Sequence, residues 1–107
     1  MAHDVALRLT SWNIQGSLSK KCVEVDFLDS ICKYDVVCIQ ETWLKPEDNF
    51  HIDGYHYFRS DRKLRKQSRR NADGVALLFK RNLAKGISKL HSNNSDIIWC
   101  KLGFTGL

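Results

Sequence analysis

Hydrophobic and polar positions alternate at the start of the chain. Val5, Leu7 and Leu9 interleave with Ala6, Arg8 and Thr10, the two-residue period of a strand with one buried face. Gly16 and Ser17 break that pattern, and Ser19 is placed to cap a following helix. Val23, Phe27, Ile31 and Tyr34 then recur at helical spacing, with Glu24 and Asp26 turned outward. The run Val36-Val37-Cys38-Ile39 is continuously apolar, as in a strand covered on both faces. Strand, helix and strand in that order predict a right-handed βαβ unit with two parallel strands.

Beyond it the pattern becomes more β-like. Lys45 to Asp48 reads as loop, and Asp53-Gly54 as a turn before a strand over Tyr55 to Phe58. Asp73-Gly74 leads into a second interior strand, Val75 to Phe79. Lys80 to Lys89 is mixed, and Gly86 argues against a long helix there. Ser92 to Asp96 is a polar loop before a last strand, Ile97 to Leu102. With no repeat, linker or low-complexity stretch, the expectation is one α/β domain over residues 1–107.

Composition narrows the class. An apolar fraction of 43% and a single proline fit a globular chain and exclude a disordered one. No apolar stretch is long enough to cross a bilayer, and the N-terminus lacks the layout of a signal peptide, so an intracellular protein with no membrane partner is expected. Cys22, Cys32, Cys38 and Cys100 form no CxxC pair and no zinc-like rhythm with the four histidines. Buried reduced thiols are the expectation, with a disulfide or zinc site as the less favoured reading.

Candidate chemistry sits where the first two strands should end. Ser11-Trp12-Asn13-Ile14-Gln15-Gly16 and Cys38-Ile39-Gln40-Glu41-Thr42-Trp43 each follow an apolar run and place Asn13 and Glu41 at its carboxyl end. Parallel strands would bring both residues to one edge of the sheet, where ligands collect in open α/β folds. One carboxylate beside an amide suits a hard cation such as Mg²⁺, which typically keeps several of its waters. Taken singly, Asn13 could equally be a strand-end turn residue and Glu41 a loop acid.

Charge adds a second feature. Arg59, Arg62, Lys63, Arg65, Lys66, Arg69 and Arg70 lie within twelve residues against one acid, Asp61, a local charge of +6 in a chain whose total is +5. Such a segment can neutralise several phosphates and bind nucleic acid with strong salt dependence. It could also be a solvated surface loop. It contains no aromatic residue on which a base could stack.

These pieces in order carry a resemblance. Ser11 to Gly16, Ile39-Gln40-Glu41-Thr42-Trp43-Leu44, Gly54-Tyr55, Asp73-Gly74-Val75-Ala76 and the strand containing Trp99 resemble the N-terminal half of the endonuclease/exonuclease/phosphatase superfamily. The endonuclease domains of non-LTR retrotransposons are the most similar branch, suggested by Trp43-Leu44 and by the basic loop before Gly74. The resemblance implies a two-sheet β-sandwich flanked by helices, present here in part, with Mg²⁺ or Mn²⁺ bound at one end. It implies that Glu41 is the metal-binding glutamate and that Asn13 orients that carboxylate and the scissile phosphate. DNA is the implied partner, with a reverse transcriptase domain in a longer parent chain and a nuclear location.

The superfamily also uses an Asp-x-Asn pair and a Ser-Asp-His segment, and neither occurs here. His3, His51, His56 and His91 do not stand in that context. In-line phosphodiester hydrolysis needs activation of the attacking water as well as leaving-group stabilisation. The expectation is therefore a truncated domain, inactive alone, and poorly soluble, partly folded or oligomeric because part of its inner sheet face is uncovered. The alternative is a non-catalytic remnant that binds nucleic acid or a partner through its basic loop.

Overall fold

The computed structural model describes residues 6–16, 18–61, 74–92 and 97–103. A four-stranded sheet is built from β1 (Leu9–Asn13), β2 (Val36–Gln40), β3 (Tyr55–Ser60) and β4 (Val75–Lys80), in the spatial order β1-β2-β4-β3. β1 and β2 run parallel, with Leu9 opposite Val36 and Asn13 opposite Gln40. β4 lies antiparallel to both β2 and β3. A second, two-stranded sheet pairs β5 (Ile87–Leu90) with β6 (Trp99–Leu102).

The pleat of β2 and β4 explains the continuous apolar runs. Val37, Ile39, Ala76 and Leu78 face two short helices, α1 (Leu18–Lys21) and α2 (Val25–Ile31), and share one core with Leu18, Phe27 and Ile31. Val36 and Phe79 project from the opposite face and pack with Ile87 of β5, with Cys100 of β6 at the margin. Both strands are thus covered on two sides, by helices and by the second sheet. The mixed α/β architecture with two sheets and flanking helices agrees with the expectation from sequence.

Several local expectations are corrected. The face of β1 that packs is the one carrying Trp12, whose indole meets Phe27 at 5.9 Å and Tyr34 at 6.3 Å. Leu9, expected inside, is 59% exposed. β1 is an edge strand, and the apolar cover on Leu9's face stops at its neighbour Val36. Val5 lies outside the described residues.

The single helix is two. The chain turns between Lys21 and Val25, with the Glu24 N–H bonded to the Lys21 carbonyl, so that Cys22 and Phe27 both reach the core. Val23 is left 80% exposed on the outside of that turn. Ser19 lies within α1 and does not cap it, because the helix begins at Leu18, whose N–H reaches the Thr42 carbonyl at 3.4 Å.

β3 runs two residues farther than expected, to Ser60, and so includes Arg59. The mixed stretch is a 3₁₀ turn, Arg81–Gly86, followed by β5. The last strand starts at Trp99, two residues late. All four cysteines are free thiols. Cys22 is buried as expected, whereas Cys32 is exposed at the end of α2 and donates to the Asp29 carbonyl at 3.0 Å.

Candidate functional site

Four strand ends meet at one edge of the large sheet. β1 and β2 finish there at Asn13 and Gln40, β3 finishes opposite at Ser60, and β4 begins at Val75. Asn13 is the register partner of Gln40, and Glu41 follows immediately. The two residues singled out from sequence are therefore neighbours across a parallel strand pair.

The backbone around them is laced tightly. The Ile14 N–H donates to the Gln40 carbonyl at 3.2 Å and the Gly16 N–H to the Glu41 carbonyl at 2.6 Å. The Thr42 N–H donates to the Gly74 carbonyl at 3.2 Å, tying the end of β2 to the approach of β4. Gln15, Glu41 and Trp43 are the non-glycine residues with positive φ among those described, at 52°, 54° and 53°. All three sit at this edge. A left-handed conformation costs a β-carbon-bearing residue free energy and persists where the surroundings over-determine it, typically at functional sites.

Each polar side chain has a defined role. The Asn13 Oδ1 accepts from the Gln15 N–H at 3.1 Å, an Asx turn that leaves Nδ2 as the donor available to a ligand. Gln40 Nε2 donates to Ser11 Oγ at 2.6 Å, bridging the two strands one pleat from Asn13. The Glu41 carboxylate is half-buried and makes no hydrogen bond or ion pair among the described residues. Thr42 is fully buried, and its Oγ1 accepts from the Leu44 N–H at 3.4 Å. Beside the site lies an apolar cleft of about 250 Å³ between Cys38, Gln40, Val75, Leu77, Ile97 and Ile98.

A sheet edge that offers, among the described residues, the unpartnered acid Glu41 fits a divalent cation that keeps most of its own water. Mg²⁺ accepts one or two protein carboxylates and completes its shell with water and substrate oxygens. The described residues offer no cluster of three or more His, Cys, Asp or Glu around a common point, so a fully protein-ligated ion has no place among them.

The basic cluster divides in two. Arg59 lies in β3, and its guanidinium is spent on protein acceptors: both Asp61 carboxylate oxygens, the Asp48 carbonyl, and the Lys45 carbonyl at 2.7 Å. Burial alone would lower its pKa, and the Asp61 carboxylate outweighs that and raises it. Arg62, Lys63, Arg65, Lys66, Arg69 and Arg70 lie outside the described residues.

Sequence reasoning passed over the parts that hold the site together. Gln40, Thr42 and Gly74 stood inside the quoted motifs, but their service as braces for Glu41 depends on contacts between distant segments. Only their position beside the strand ends could have signalled it.

Compared with known proteins, residues 10–102 match the model of the endonuclease/exonuclease/phosphatase family. No curated protein matches significantly. Among the described residues no helix is long and apolar enough to cross a membrane.

Proposed function

The chain belongs to the endonuclease/exonuclease/phosphatase family, which makes it a nuclease- or phosphatase-type domain, and on that footing we propose that it carries the metal-and-phosphate half of a DNA endonuclease of the retrotransposon type. The observation that carries this reading is topological. The basic segment leaves β3 after Ser60 and re-enters β4 through Gly74, so both of its anchors stand at the sheet edge that holds Asn13 and Glu41. A phosphate backbone gripped by Arg62 to Arg70 would be tethered beside Glu41, whose carboxylate has no partner among the described residues.

The family is generally dependent on a divalent metal, and Glu41 is the residue that would hold Mg²⁺ or Mn²⁺ here. The ion, when bound, supplies Lewis-acid stabilisation of charge on the phosphoryl and leaving oxygens. Asn13 Nδ2 donates a hydrogen bond to a phosphate oxygen without adding negative charge that would repel it. Its Oδ1 is fixed by the Gln15 N–H, so the amide presents its donor end to the ligand. Gln40 and Ser11 hold the two strand ends in register while this happens. No described residue of this chain is placed as a general base for the attacking water, so the chain alone is expected to bind and not cut. A nuclear location and association with a reverse transcriptase follow from the retrotransposon likeness.

Duplex DNA binding measured in Mg²⁺ and in EDTA tests this reading together with nicking of supercoiled plasmid. The expected result is tighter binding in Mg²⁺, loss of that increment in Glu41→Gln, and no nicking. Nicking abolished by Glu41→Ala would make the chain itself the enzyme. Binding insensitive both to Mg²⁺ and to Glu41→Gln would leave the alternative, a non-catalytic nucleic-acid-binding remnant, favoured by the absence of a three-residue ligand cluster among the described residues.

A further inference from the structure

We propose that the Arg59–Asp61 pair is a positioning device for Glu41, clamping the turn that follows Glu41 onto the root of the basic segment. The inference rests on the assignment of Glu41 as the metal-holding carboxylate. Arg59 and Asp61 meet at 2.7 Å with side chains only 17% and 13% exposed. Between Lys45 and Asp48 the chain makes a closed turn, the Asp48 N–H donating to the Lys45 carbonyl and the Lys45 N–H to the Asp48 carboxylate, each at 2.9 Å. The Arg59 guanidinium binds both carbonyls of that turn while lying 6.0 Å from the centre of the Phe50 ring.

The clamp reaches Glu41 from two sides. Through the 45–48 turn it fixes the segment Glu41-Thr42-Trp43-Leu44 at its far end. Through Asp61 it fixes the end of β3, where the Asp61 Cα lies 3.9 Å and the Ser60 carbonyl 3.6 Å from where a Gly74 Cβ would stand. Gly74 in turn accepts the Thr42 N–H. Glu41 and Trp43 hold positive φ between these two anchors, so releasing either anchor lets the strained backbone relax and the carboxylate drift. A guanidinium fork suits this task because one planar group engages both oxygens of a carboxylate and two carbonyls together, whereas an ammonium has only three donors and no planar fork.

Amide hydrogen exchange on the 107-residue chain tests it, using Gly16 and Thr42 as reporters and the core strand residues Val37 and Leu78 as controls. In Arg59→Ala, exchange at Gly16 and Thr42 is expected to accelerate about 10-fold relative to the controls, the mark of a local opening. Arg59→Lys, which keeps the charge and loses the fork, is expected to loosen the same two amides. Mn²⁺ affinity should fall about 10-fold in both variants, the usual effect of removing a partner that orients a ligand. Reporters and controls that move together, or that do not move at all, in Arg59→Lys would overturn the proposal. Failure of the wild-type chain to bind Mn²⁺ would overturn the metal assignment of Glu41 instead, while the exchange comparison still decides the clamp.

Discussion

Gly16 lies beneath the indole of Trp43: a Cβ at position 16 would overlap the ring atoms Cε3 and Cδ2, and the backbone there sits at φ +98°. The first motif ends in glycine because the second ends in tryptophan. Gly16→Ala should cost about 1–3 kcal/mol through overpacking and left-handed strain. Combining it with Trp43→Ala should restore part of that stability, since the clash is removed. Denaturant melts of the two singles and the double measure this coupling, and simple additivity would show that the two residues do not meet.

Tyr55 joins β3 to the end of α2. Its hydroxyl lies 2.9 Å from the Ile31 carbonyl and 2.7 Å from that of Tyr34, offering one proton to two acceptors in a buried position. Tyr55→Phe leaves the Tyr34 carbonyl without its donor and should destabilise the fold by about 1–3 kcal/mol. Equilibrium unfolding of the variant checks it, and an unchanged midpoint would mean that water replaces the hydroxyl.

Alkaline pH should weaken the fold through Cys22. Burial pushes this thiol up to about 11, so the folded state favours the protonated form more strongly than the unfolded chain does. The stabilisation is complete below the unfolded thiol's pKa of about 8.5 and is lost as pH rises towards 11. Burial raises Cys38 and Cys100 in the same direction. The melting temperature should fall between about pH 8 and pH 11, and less steeply in Cys22→Ala. Iodoacetamide should label the exposed Cys32 first and Cys22 last, as read by mass spectrometry.

Replacing Arg65, Lys66, Arg69 and Arg70 together by alanine should weaken DNA binding and flatten its salt dependence, the slope falling by about 0.9 for each phosphate that is no longer neutralised. Arg59 stays out of that set because its donors are already used inside the protein. Titrations at several salt concentrations give the slope directly, and an unaltered slope would remove the segment from the interface.

How far the sequence disclosed this molecule depends on the range of the interaction concerned. Val36 to Ile39 and Val75 to Phe79 announced interior strands because apolar runs report burial from both sides. The parallel pairing of β1 with β2 followed from the helical spacing of Phe27 and Ile31 between them. The inward face of β1 was misjudged, since alternation gives the period of a strand and not which side is covered, and cover depends on a second sheet that stops at Val36. Val23 kept the helical rhythm by coincidence while the chain turned beneath it. Strand-end position also placed Asn13 and Glu41 at one end of the sheet, and the register of β1 against β2 sets them side by side there. The strained φ values, the Gln40–Ser11 bridge and the diversion of Arg59 from solvent to the 45–48 turn all arise from tertiary contacts that no local pattern encodes.

The central claim is that Glu41 holds a divalent ion at the edge where β1 and β2 end. Titrating the 107-residue chain with Mn²⁺ and following free ion by electron paramagnetic resonance tests it most directly. One bound ion per chain, displaced by Mg²⁺ and absent from Glu41→Gln with the fold intact, is the result expected. Equal Mn²⁺ uptake by the wild-type chain and Glu41→Gln would contradict it.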